Sequence, residues 1–181
     1  MGGCFMKLSS ILHRLNGLYK FGNSATKLRG KVFVNRIGSI RTGRNLSIVG
    51  HPWAVQITST RGASLTFGDN VYVNAGVGIA ANKEIVIGDN VKIGPRTSIF
   101  DSNYHRIDSA DKSEMSRRIT IGNNVWIGAD CTILPGVTIG DNSVIAAKST
   151  VNKDVPKNVL VGGSPAKVIR ELEIEDGWIR D

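Results

Sequence analysis

The chain has 181 residues, 41% of them hydrophobic, which fits one domain with a continuous core and excludes a disordered composition. Its formal charge of +8 favours anionic partners such as phosphates, acidic glycans or an anionic membrane surface. Two cysteines, Cys4 and Cys131, form no motif, so neither a disulfide framework nor a zinc site is implied, and no apolar stretch approaches the ~18 residues of a membrane span.

At the N-terminus Phe5, Leu8, Ile11, Leu12, Leu15, Leu18 and Tyr19 follow helical apolar spacing, decorated by Lys7, Arg14 and Lys20. Two readings stand: a helix that caps the core beginning after it, or a basic amphipathic helix resting on a membrane surface. His13, Arg14 and Lys20 interrupt the apolar run, so no secretory signal is expected. Met6 stands where a myristoylation signal needs Ser or Thr, so that match fails as well. The expectation is a soluble cytoplasmic protein, with membrane contact, if any, peripheral and made through this helix.

Internal periodicity dominates the chain beyond this segment. A β-branched residue recurs every six positions at Ile121, Ile127, Ile133, Ile139, Ile145 and Val151. Small or branched residues stand four positions after each, at Val125, Cys131, Val137, Ser143 and Ser149. Earlier stretches share the rhythm at Phe67, Val73, Ile79, Ile87, Ile93 and Ile99. Neither a helix period of 3.6 nor a strand period of 2 explains it. A longer repeat, Gly-x-Asn, begins at Gly43, Gly68, Gly88, Gly122 and Gly140, with intervals of 25, 20, 34 and 18. Three hexads make one coil of a triangular solenoid, and stacked coils bury an aliphatic column that no single coil could bury. Solenoid ends need covering, which favours the cap for residues 1–30. Residues 31–155 form the parallel β-helix. Its hand is not set by spacing.

The interval of 34 is one coil plus sixteen residues, which must leave the coil as an insertion within 100–118. A polar loop on a rigid solenoid is a usual place for binding chemistry. Beyond it, Val155-Pro156 breaks the repeat, and residues 156–181 read as a short helix and polar tail. Ser164 suits an N-cap there and Pro165 the first turn, over Ser164 to Leu172.

Of three histidines, His13 and His51 suit structural or surface roles. His105 lies on the insertion between Asp101 and Asp108. A neutral imidazole there can take a proton from an alcohol attacking an acyl carbon, and a nearby carboxylate can fix its orientation.

Three segments then carry a resemblance: Asn124-Val125-Trp126-Ile127-Gly128, Ile133-Leu134-Pro135-Gly136-Val137-Thr138-Ile139-Gly140 and Val144 through Asp154. They resemble the hexapeptide-repeat acyltransferases, and more closely the galactoside, maltose and capsular-sugar O-acetyltransferase branch. The likeness runs from about Gly43 to Arg170 and includes the ending Gly163-x-Pro165-Ala166-Lys167-Val168-Ile169-Arg170. The first 40 residues do not match the maltose and galactoside enzymes, and Asn103 stands where some relatives carry Asp.

The resemblance implies a left-handed parallel β-helix, a homotrimer with active sites between subunits, acetyl-CoA as acyl donor and no metal. It implies His105 as general base with Asp101 in support, and Asn74 as an acceptor contact. The backbone at Ala129 would steady the oxyanion. Trp126, Ala129, Ala147, Asn152 and Lys153 would line the cofactor groove, with Lys167 and Arg170 on its phosphates. Plainer readings stand beside these. Trp126 fits subunit packing equally well, Asn152 and Lys153 fit simple corners, and Lys167 and Arg170 fit the solvated face of a helix. Asn74 fits a turn, since Asn tolerates left-handed backbone. Pro135-Gly136 and Gly94-Pro95 read as corners only.

The function expected is transfer of an acetyl group from acetyl-CoA to a hydroxyl of a sugar or glycan precursor, directly in a ternary complex. N-acetylation of an amino sugar is the nearer alternative. A zinc carbonic anhydrase on the same scaffold needs three histidines, and the repeat region offers His105 alone. A non-catalytic β-helix binding module is permitted by the charge, but no nucleic-acid-binding motif appears, so no nucleic acid partner is expected.

Overall fold

The computed structural model describes residues 12, 15–23 and 26–180. Cys4, Phe5, Lys7, Leu8, Ile11, His13 and Arg14 lie outside the described residues. The chain winds into a parallel β-solenoid of about six turns. Each turn passes three flat faces. The first carries Ser39–Thr42, Ser64–Phe67, Glu84–Ile87, Ile119–Ile121 and Thr138–Ile139 as one five-stranded sheet. The second carries Tyr72–Val73, Lys92–Ile93, Trp126–Ile127, Val144–Ile145 and Val159–Gly163. The third carries Gly78–Ala81, Ser98–Phe100, Thr132–Ile133 and Thr150–Val151, and the long strand Ser47–Ser59 joins it to the second.

The hexad rhythm becomes packing in a simple way. Ile121, Ile127, Ile133, Ile139, Ile145 and Val151 all point inward and are at most 1% exposed. The positions four further on, Val125, Cys131, Val137, Ser143 and Ser149, are buried too. Such side chains each contribute roughly 1.5–3 kcal/mol relative to exposure when aliphatic. Ser appears at the inward positions nearest corners, where it holds backbone. Ser143 Oγ donates to Pro156 O and Ser149 Oγ to Ala146 O, both at 2.6 Å.

Gly-x-Asn forms the corner between the first and second faces. Asn45, Asn70, Asn90, Asn124, Asn142 and Asn158 all hold φ between 56 and 62°, the left-handed region that Asn tolerates. Their amides stack as a ladder, with Asn45 donating to Asn70, Asn70 to Asn90, Asn124 to Asn142 and Asn142 to Asn158 at 2.8–3.1 Å. The middle residue accepts the backbone N–H of the coil before it, as Asp69 does from Arg44 and Asp141 from Asn123. The steps between coils, 25, 20, 34 and 18 residues, equal the sequence intervals, and Asn158 adds a further step of 16.

That last step corrects one boundary. Val155 bridges to Ile139 and Leu160 pairs with Val144, so the solenoid continues past 155 to Gly163. A second correction concerns Ser164 to Leu172. Ala166–Glu171 is a strand, antiparallel to Val159–Gly163, with Ser164-Pro165 in the turn. Strand Val159–Gly163 offers an unpaired edge, and hairpin closure on it satisfies backbone groups that a helix would leave open. At the other end residues 15–21 are helical, and Lys27–Arg36 begins the sheet by pairing with Ser47–Ser59.

Candidate functional site

A cleft of about 600 Å³ opens on the second face and its corner with the third. Its floor is an outward column in strict register: Tyr72, Lys92, Trp126, Val144 and Leu160 pair in succession. The corner supplies Asn74, Gly94, Pro95, Gly128, Ala129, Ala146 and Ala147. Coils approach closely here because side chains are small. A Cβ on Gly94 would lie 2.5 Å from the Gly128 carbonyl carbon, and one on Gly128 would lie 2.6 Å from the Ala147 nitrogen. Buried Thr97 pins the same corner, donating to Gly128 O at 2.9 Å and accepting from Cys131 N at 3.2 Å.

The corner's backbone is half used. Asp130 N donates to Pro95 O and Lys148 N to Ala129 O, both at 2.8 Å. Among the described residues, no acceptor meets the N–H of Ala129 or Ala147, which both line the cleft. Asn74 does not take the left-handed turn conformation; its Oδ1 accepts the Ala75 N–H at 2.8 Å, which leaves its amide nitrogen as a donor. The outer edge of the corner is braced by charge. Arg96 lies over Trp53 at 4.6 Å and forks onto Asp130 with two bonds of 2.6 Å. Hydrogen bonding from Arg96 holds the Asp130 carboxyl below its ordinary range.

Cys131 sits beneath this corner, 1% exposed, and burial pushes its thiol up in pKa. A buried thiol that resists ionising is a poor nucleophile. Cys131 is expected to react with a disulfide reagent only after unfolding, and prompt labelling of native protein at this residue would contradict the packing described.

Loop 101–118 leaves the corner between the third and first faces. Its stem is an antiparallel bridge, Ser102 with Ser116, flanked by Asn103 N to Met115 O and Arg117 N to Asp101 O. Asp101 is fully buried, and its carboxylate accepts N–H bonds from Asn82, Lys83 and Glu84 at 2.7–2.8 Å. Lys83 pairs with Glu114, and Glu84 with Arg118 at 3.4 Å. Tyr104, at φ 59°, turns the chain so that His105 is exposed. Ile107 near the tip is 90% exposed.

Of the residues singled out from the sequence, Asn74, Trp126, Ala129 and Ala147 meet in the cleft. Lys167 and Arg170 are exposed on the terminal strand, Arg170 in register with Leu160 at the cleft's end. They lie on a strand, so a helical face no longer explains their spacing. His105 and Asp101 are on the loop and Asn152 and Lys153 at an exposed corner; none of the four lines the cleft of its own chain. Tyr72, Lys92, Val144 and Leu160 escaped sequence reasoning, as did Gly94-Pro95 as more than a corner. A signal existed, since each outward column residue stands two positions after an Asn of the Gly-x-Asn ladder or its Asn158 continuation. Among the described residues, no group of His, Cys, Asp or Glu could hold a metal, and no helix is long and apolar enough to cross a membrane.

Known proteins resemble this chain in sequence and in fold. A family model described as "Bacterial transferase hexapeptide (six repeats)" matches residues 118–153. Galactoside O-acetyltransferase of Escherichia coli is 44% identical over 117 residues, 64% of this chain and 58% of that protein. This chain therefore spans less than two thirds of that relative's length. A putative lipopolysaccharide biosynthesis O-acetyl transferase of Escherichia coli is 31% identical over 160 residues, 82% of this chain and 80% of that protein. Among solved structures, a hexapeptide-repeat acetyltransferase from Vibrio cholerae, in complex with acetyl coenzyme A, superposes with TM-score 0.57 at 25% identity. That likeness covers 96% of this chain and 92% of that one.

Proposed function

The chain belongs to the hexapeptide-repeat acyltransferases, with their left-handed β-helix, and on that premise we propose that it is an acetyl-CoA-dependent O-acetyltransferase acting on a hydroxyl of a sugar or glycan precursor. The observation that carries this reading is the second-face cleft, where an apolar floor at Trp126 and Val144 runs beneath the unpaired N–H groups of Ala129 and Ala147. An extended pantetheine chain needs that combination of apolar floor and amide donors. Lys167 and Arg170 at one end would take its phosphates, with Asn152 and Lys153 as further polar contacts.

The chemistry proposed is direct. His105 takes the proton of the acceptor hydroxyl, and the oxygen attacks the thioester carbonyl. The tetrahedral oxyanion draws on the Ala129 N–H. Collapse expels the coenzyme A thiolate, which recovers the proton from the imidazolium. Asn74, with its amide nitrogen free to donate, holds the acceptor. His105 does not line the cleft of its own chain, so the reading requires a trimer in which each loop serves a neighbour's cleft. The exposed Ile107 at the loop tip supports such a contact. Asp101 then serves as a positioning residue at the loop root.

The test is titration calorimetry with coenzyme A, followed by thiol release from acetyl-CoA over a panel of sugars and amino sugars. Binding, with turnover on a hydroxyl acceptor, is expected; turnover confined to amino sugars would move the assignment to N-acetylation. Ala147→Trp, which fills the cleft, is expected to weaken coenzyme A binding about tenfold or more, as a lost pocket of this kind costs at least ~1.4 kcal/mol. Unchanged affinity in that variant would remove the cleft from the proposal.

A further inference from the structure

The charge of this chain is segregated. Residues 1–68 contain ten Lys and Arg and no Asp or Glu, while residues 69–181 contain thirteen and fifteen. All the net positive charge therefore sits in the N-terminal part of the sequence. Lys27, Arg29, Lys31, Arg36, Arg41 and Arg61 are exposed there and, among the described residues, take part in no ion pair.

The same end carries apolar side chains facing solvent. The helix over 15–21 covers the first coil with Phe21, 5% exposed, and with Gly17, where a Cβ would meet Thr26 O at 2.0 Å. Lys20 reaches across it to Val32 O. At 100° per residue Gly17 and Phe21 define one side of this helix, Leu15 and Tyr19 fall on the opposite side, and Leu18 lies on the flank between them. Leu12, Leu15, Leu18 and Tyr19 are 48–88% exposed, and Phe33 and Ile37, in and just after the first strand, are 61% and 60% exposed. A helix that only caps would turn polar residues outward. Here Leu15 and Tyr19 face outward, and exposed Lys27, Arg29 and Lys31 stand on the strand that follows the helix.

We infer that the N-terminal end of the solenoid is a docking surface for an anionic lipid bilayer. Leu12, Leu15, Leu18 and Tyr19 enter the headgroup region, and the exposed basic side chains of the same segment meet the lipid phosphates. Leucines that insert among acyl chains fit lipid better than nucleic acid, whose bases stack on aromatic faces. The solenoid then stands on its end, with the cleft a few coils, roughly 10–20 Å at ~4.8 Å per coil, above the surface. This goes beyond the acetyl-transfer reading and stands or falls without it, because the readout is binding.

The experiment is co-sedimentation of the full chain with phosphatidylcholine vesicles, with and without phosphatidylglycerol. Binding is expected only to the anionic vesicles and is expected to fall as salt rises. Each basic side chain near such a surface is worth about five-fold in partitioning, so Lys27→Ala/Arg29→Ala/Lys31→Ala should bind about 100-fold more weakly. Leu15→Ser/Leu18→Ser should weaken binding about tenfold or more, and Tyr19→Trp should shift its emission to the blue on anionic vesicles. These positions are exposed, so thermal unfolding of each variant should match the parent. Equal binding to neutral vesicles, or no binding to either, would overturn the inference. So would full vesicle binding by the leucine variant with displacement by a single-stranded oligonucleotide, which marks a general polyanion surface. A change in oligomeric state of the leucine variant would assign the apolar side to a subunit contact instead.

Discussion

His105→Ala is expected to lower turnover of acetyl transfer by 10²–10⁴-fold, the range for loss of a positioned general base, while leaving coenzyme A affinity unchanged. The split follows from position. The imidazole sits on loop 101–118, whereas the groups proposed to hold the donor lie on the second face and its corner. The same separation gives a sharper test, because the proposed site joins one chain's loop to another's cleft. Mixing His105→Ala with the cleft-filled Ala147→Trp variant and allowing subunits to exchange should restore activity. Random threefold assembly would rebuild about a quarter of the sites with both parts intact. Near-normal turnover by His105→Ala would end its assignment as the base. No recovery on mixing, with exchange demonstrated, would place loop and cleft of one chain together and refute the shared site.

Why the solenoid was legible and parts of the site were not comes down to which contacts carry a local signature. The Asn ladder needs one residue type in one backbone conformation at every turn, so its spacing announces the coil length, insertion included. Where Pro156-Lys157-Asn158 replaces Gly-x-Asn, the turn persists but its signature does not, and the last coil goes unseen. Ser164 to Leu172 mislead for a related reason. The strand Ala166–Glu171 is almost wholly exposed, so no alternation marks it, and only its partner Val159–Gly163 makes it a strand. The floor of the cleft is a vertical column with one residue from each coil. Tyr72, Lys92 and Val144 share no residue type, only a place two positions after a ladder Asn, and stacking the coils makes them neighbours.

Asp101 holds the root of the loop that carries His105 rather than the imidazole itself. Its place beside His105 in sequence suggested a partner for the imidazole, yet both carboxylate oxygens are taken by the backbone of residues 82–84. Asp101→Ala is expected to cost about 2–5 kcal/mol in stability, since it strands buried N–H groups, and to cut turnover by freeing the loop root. Asp101→Asn keeps the shape but turns an NH₂ toward donors, so it should recover little. A residue that only positions the loop changes how often the imidazole reaches the acceptor, not how readily it holds a proton. Turnover of Asp101→Asn should therefore fall at every pH, with the acid limb of the pH profile where the parent has it. A displaced limb would mean that the carboxylate acts on the imidazole directly and that the loop rearranges when the assembled site closes.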